Sequence, residues 1–203
     1  MGRRMRGRLT RVLLLLLVAG WVQGWPAEAA EVFLPRGAVE MGVRTGYNFE
    51  VTKNARMVTT TFRLGYALWQ VDGKERYLPS FFPRGTFELA VEPFASAIFD
   101  TETTAEAGGA IVPTYYFDTG TRLLPYIEGG VGAMYTSLSE FNLGGKFQFL
   151  IFGEVGLSYF LTDRMALRLG GRFRHISNAS THKNNAGLDS VIVAVGFSYF
   201  LPR

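Results

Sequence analysis

Residues 172–190 read RFRHISNASTHKNNAGLDS and hold both histidines of a 203-residue chain, His175 and His182, together with Ser177, Asn178, Asn185 and Asp189. A serine hydroxyl, an imidazole and a carboxylate within side-chain reach of one another form the set used for nucleophilic acyl transfer. The imidazole takes the serine proton, and the carboxylate fixes the imidazole tautomer and stabilises the imidazolium. Ser, His and Asp are also ordinary residues of polar loops. Only the geometry of the elements that carry them turns three common residues into a candidate site.

Those elements are strands. Apolar and polar residues alternate with period two over eight segments, 37–49, 56–69, 85–98, 107–117, 123–136, 146–161, 164–177 and 188–201, and turn-forming residues separate them. Such alternation places successive side chains on opposite faces of a sheet. An even number of these segments, most of ten or more residues, is the signature of a transmembrane β-barrel. The expected fold is therefore all-β, an eight-stranded antiparallel transmembrane β-barrel forming a single domain over residues 31–203. A content of 24 Gly and 17 Phe suits that architecture.

The two faces separate strand by strand. Val39, Met41, Val43, Tyr47 and Phe49 share one face of the first segment, against Glu40 and Arg44. Val58, Phe62, Leu64, Tyr66 and Leu68 oppose Thr59, Thr61 and Arg63 in the second. The fourth segment is ambiguous, with Val112 and Tyr116 on one face and Ile111 and Tyr115 on the other. In a soluble, lipocalin-like barrel the charged face would be outside. Here it is rich in Gly and poor in Lys, and aromatic pairs at strand ends (Tyr47/Phe49, Tyr159/Phe160, Tyr199/Phe200) read as interfacial girdles. The charged face is thus assigned to the lumen, where Glu40, Glu88, Glu92, Glu128 and Glu154 meet Arg44, Arg63, Arg168, Arg172 and Arg174. Eight strands enclose just enough space for side chains, so these charges are expected to plug the interior as an ion-pair network rather than conduct.

The first 30 residues carry five Arg before an apolar run from Val12 to Gly20 and a small-residue site at Ala27-Glu28-Ala29. That order reads as a secretory signal peptide over 1–30, cleaved after Ala29 or Ala30. It is too short for a membrane-spanning helix. The formal charge of +4 from 21 basic and 17 acidic residues belongs to this leader: without its five Arg and Glu28 the chain balances. Nucleic acid is thereby excluded as a partner. The absence of Cys removes disulfides and thiolate metal sites.

Extending the alternation to the opening stretch puts His175, Ser177 and Asp189 on the lipid-facing rows of the last two strands, at the same end of one hairpin. If Ser177 faces Gly187, His175 faces Asp189, with Cβ atoms about 4.5–5.5 Å apart. Ser177 then lies roughly 6–7 Å along the same face. His182 falls off the row and reads as a solvated loop residue.

The two motifs HISNA and NAGLD resemble the signature of the outer-membrane lipid A 3-O-deacylases (PagL type, acyloxyacyl hydrolase-like), His-x-Ser-Asn-Ala followed by Asn-x-Gly-x-Glu. The resemblance implies an outer-membrane serine esterase that hydrolyses the 3-O-linked acyl ester of lipopolysaccharide. His175 would be the base, Ser177 the nucleophile, Asp189 the orienting acid, and Asn178 and Asn185 the oxyanion and substrate-binding residues. No cofactor or metal is implied, and the partners would be lipid A and the surrounding membrane lipid. Asp189 stands where the family usually has Glu, and Ser180 where Gly is common. Homodimer formation is left open by the sequence. Competing readings are a non-enzymatic small outer-membrane barrel with a structural or adhesive role, an outer-membrane phospholipase, and the soluble lipocalin-like barrel. Acidic residues at 72–75 and 100–106 are spaced like ordinary loop charge.

Overall fold

A sheet whose strands each carry one apolar and one charged face has two needs, a partner for every edge and a different solvent for each face. The computed structural model describes residues 34–50, 56–72, 83–99, 104–137 and 143–201 and meets both needs by closure. Its strands are β1 Val39–Glu50, β2 Arg56–Val71, β3 Gly85–Ile98, β4 Thr104–Phe117, β5 Leu123–Thr136, β6 Phe147–Phe160, β7 Met165–Ser177 and β8 Leu188–Leu201. Each pairs antiparallel with the next, and β8 returns to β1, so no edge remains to be covered. Every strand begins and ends within three residues of the bounds set by the alternation. The leader expected at 1–30 lies outside the described residues.

The faces divide as a membrane barrel requires. Phe62, Ile111, Val131, Val155 and Phe173 are each more than half exposed on the outer wall, whereas Glu40, Glu88, Glu128, Arg63 and Arg168 are buried inside. A lipocalin-like soluble barrel would have the opposite distribution, and that reading is set aside. In β4 it is Val112 and Tyr116 that turn inward, both fully buried, and Ile111 that faces out.

Three expectations need correction. In β2 the pairing jumps from Ala67–Glu88 to Trp69–Phe87, a bulge at Leu68 that resets the phase. Trp69, not Leu68, therefore continues the outer row, stacked on Phe87 with ring centroids 4.3 Å apart. Phe160 and Phe200 are buried, so at those two strand ends the girdle consists of Tyr159 and Tyr199 alone. Glu106 is not loop charge: it lies in β4, is buried, and pairs with Arg174 at 3.0 Å.

The lumen is filled in three tiers. At the end that carries the start of β1 and the end of β8, Leu34 enters the barrel and packs with Tyr116, Tyr126, Phe160 and Phe200. Its carbonyl accepts hydrogen bonds from Gln70 Nε2 (2.6 Å) and Thr86 Oγ1 (2.9 Å), which ties the segment before β1 across the opening. The middle tier is the expected ion-pair network. Glu128 accepts from Arg44, Arg63, Arg168 and Arg172 at 2.8–3.3 Å, Glu40 from Arg63 and Arg168, and Glu154 from Arg44 and Arg172. Above it, Met57, Val112, Met134, Leu150 and Ile176 form an apolar layer beneath the β7–β8 connection.

Candidate active site

The β7–β8 hairpin has the expected register. His175 pairs directly with Asp189, and His175 Nδ1 stands 2.7 Å from Asp189 Oδ1. Direct opposition of the two residues brings their side chains together, so the shorter Asp reaches the ring without help. An ionised carboxylate only accepts, so the hydrogen in this bond sits on Nδ1, and in the neutral ring Nε2 is the acceptor. Both side chains are about two-fifths exposed, at 42% and 43%, on the outer wall rather than in the lumen. Ser177 follows two residues on, on the same face and opposite Phe149 of β6. No hydrogen bond joins its Oγ to His175 among the described residues. Such contacts commonly tighten only when substrate binds.

Gly187 keeps the ring's working edge open. It has a φ of +66°, and a Cβ there would stand 3.0 Å from His175 Cε1 and 3.6 Å from Nε2. A side chain at 187 would crowd the Cε1–Nε2 edge of the ring.

The connection between the strands begins with a tight turn. Thr181 N–H donates to Asn178 O at 3.0 Å, and the two residues inside the turn, Ala179 and Ser180, have φ of 50° and 64°. Two consecutive positive φ values define a type I′ turn, which ordinarily selects Gly, Asn or Asp. Ala and Ser here carry backbone strain of the kind that collects at functional sites. The N–H groups of Ala179 and Ser180 donate no hydrogen bond among the described residues, and they lie immediately beyond Ser177. Ser180→Gly is expected to relieve about 1 kcal/mol of this strain, which hydrogen exchange would read as roughly fivefold slower opening of the turn amides.

The two asparagines occupy different places. Asn185 Oδ1 accepts the Asn178 backbone N–H at 3.0 Å. Because a backbone N–H only donates, this contact fixes which end of the Asn185 carboxamide is oxygen, and Asn185 Nδ2 is used by no hydrogen bond among the described residues. Asn178 is fully buried, and its Nδ2 donates to Leu143 O (2.8 Å) and Asn184 O (2.6 Å). Sequence reasoning found both residues but missed Leu143 and Asn184, whose carbonyls carry no signal in their side-chain types. His182 is exposed, with Nδ1 3.2 Å from Thr181 Oγ1, in keeping with a solvated loop residue. Among the described residues no three His, Cys, Asp or Glu side chains converge as metal ligands would.

The outward Ser, His and Asp at the rim of a membrane barrel have relatives. Residues 41–198 match the family model described as lipid A 3-O-deacylase (PagL). The lipid A deacylase PagL of Bordetella bronchiseptica (strain ATCC BAA-588 / NCTC 13252 / RB50) is 38% identical over 92 residues, which are 43% of this chain and 47% of that protein. The match thus spans about half the length of that relative. The crystal structure of the outer membrane enzyme PagL is similar with a TM-score of 0.54 at 22% identity, over 77% of this chain and 97% of that one. Neisserial surface protein A gives 0.56 at 16%, over 80% and 95%. At these identities the structural likeness shows the barrel alone, and it does not separate an enzyme from a surface protein. The family match rests on sequence instead, and it runs from β1 to β8 and includes the hairpin that holds His175, Ser177 and Asp189. The chain belongs to the lipid A 3-O-deacylase (PagL) family.

Proposed function

We propose that this protein removes the 3-O-linked acyl chain of lipid A by serine-type hydrolysis at the outer leaflet of the outer membrane. The observation that carries the reading is the 2.7 Å contact of His175 Nδ1 with Asp189 Oδ1, on the same lipid-facing row as Ser177. A site on the outer wall meets an acyl ester where the lipid already lies, so the substrate stays in the membrane throughout. The leader delivers the chain for export, and the β7–β8 loop lies outside the cell.

Ser177 Oγ attacks the ester carbonyl carbon while His175 Nε2 takes its proton, and Asp189 stabilises the imidazolium. The negative charge that gathers on the carbonyl oxygen is met by Asn185 Nδ2 and by the free N–H groups of Ala179 and Ser180. Asn178 serves this step through Asn185, since its own amide hydrogens are spent on carbonyls. The imidazolium returns the proton to the departing sugar oxygen, leaving an acyl-enzyme. Water, deprotonated by His175, attacks that ester, and the imidazolium returns the proton to the departing Ser177 Oγ as the 3-hydroxy fatty acid is released.

Mass spectrometry of lipid A from cells with and without the wild-type protein tests the reading. Loss of a single 3-hydroxyacyl chain supports it. Unchanged lipid A together with free fatty acid from glycerophospholipid would reassign the substrate, and no change in either would make the barrel non-catalytic.

A further inference from the structure

The active-site hairpin leans on a turn that belongs to a different hairpin. Leu143 and Gly144 end the β5–β6 connection, and this turn is anchored from below. Leu143 is 2% exposed within the upper apolar layer, and Gln148 Nε2 donates to Leu143 O (3.3 Å) and Gly145 O (2.7 Å). From above, Asn178 Nδ2 bridges Leu143 O and Asn184 O, and the Asn178 N–H holds Asn185 Oδ1. Gly144 sits where these strands of contact meet. Its φ is +73°, and a Cβ on it would stand 1.9 Å from Asn184 O and 2.7 Å from Asn178 Nδ2.

We infer that the turn formed by Leu143 and Gly144 positions Asn185 as the oxyanion donor, acting through Asn178 and Asn184. The inference rests on the deacylase reading above. A methyl group at 144 has nowhere to go: the turn is held by the barrel beneath it, so Asn184 and the neighbouring Asn185 must move. Gly144 is a positioning residue, and its effect should pass entirely through Asn185.

The test is a double-mutant cycle on purified protein in detergent micelles with purified lipid A, reading released 3-hydroxy fatty acid by mass spectrometry. Asn185→Ala is expected to lower kcat by about 10²–10³-fold, the usual loss for one oxyanion donor. Gly144→Ala is expected to lower it by roughly 100-fold with KM little changed. The double variant should be no slower than Asn185→Ala alone, because one effect runs through the other. Gly145→Ala, in the same turn but facing the movable His182 ring at 3.0–3.3 Å, should keep wild-type activity. If Gly144→Ala fails to insert as a heat-modifiable barrel, Asn178→Ala cuts the same tie from the other side and should show the same loss and the same lack of additivity. Wild-type kcat in Gly144→Ala, Asn178→Ala or Asn185→Ala, or losses that multiply in the double variant, would overturn the inference. An inactive wild type would instead count against the deacylase reading itself.

Discussion

Ser177→Ala protein inserts into the membrane as well as the wild type does and releases no measurable 3-hydroxy fatty acid from lipid A, a fall of at least about 10⁴-fold in kcat. Insertion is unaffected because Ser177 faces outward at the end of β7 and no side-chain hydrogen bond among the described residues depends on it. The chemistry stops because no other hydroxyl shares the outward row with His175. Asp189→Asn is the sharper member of the series. It retains the size of the side chain but offers an amide in place of the carboxylate that fixes the hydrogen on Nδ1, and should cost about 10⁴-fold. Asp189→Glu should stay within about tenfold of wild type, since the side chain is two-fifths exposed and has room for one more methylene. Turnover by Asp189→Asn at a tenth of the wild-type rate or better would remove the carboxylate from the mechanism. Equal membrane levels in each strain, read by heat-modifiable gel migration, make the rates comparable.

The second large effect lies inside the barrel. Glu128 accepts hydrogen bonds from four guanidinium groups, those of Arg44, Arg63, Arg168 and Arg172. Removing it leaves uncompensated positive charge among buried groups, so Glu128→Ala is expected to destabilise the barrel by about 3–5 kcal/mol. The measurement is the urea midpoint of the protein in detergent. Were the lumen a water-filled channel, the same change would be screened and cost about 1 kcal/mol or less. Replacing Glu128 by Gln separates shape from charge, since the amide fills the same space without neutralising the arginines. A shift as large as that of the Ala variant assigns the loss to charge.

Much of this was legible because a barrel strand records its faces in every second residue. The eight strands, the lumen charges and the His175–Asp189 register all follow from counting by twos through segments with strong contrast. Counting fails where contrast or phase is lost. Leu68 is one extra residue in β2, and nothing in its apolar side chain distinguishes a bulge from a regular position. Glu106 stands among Thr, Ala and Gly, too uniform to show alternation, so a buried ion-pair partner read as loop charge. Phe160 and Phe200 have the composition of a girdle but the inward phase, and there they close the lumen. The support of Asn185 was out of reach for another reason: Asn178 and Leu143 are 35 positions apart in sequence, and the bond between them uses a backbone carbonyl that every residue possesses.

The three-tier filling of the lumen bears on the cell as much as on the protein. A membrane that protects its owner by excluding small toxic solutes is weakened by any pore placed in it. Leu34 is tied across one opening, arginines and glutamates interlock at mid-height, and apolar side chains lie under the other end, so side chains occupy the lumen at three heights. Copies are therefore expected to accumulate without raising the permeability to small solutes, which dye uptake by proteoliposomes would check.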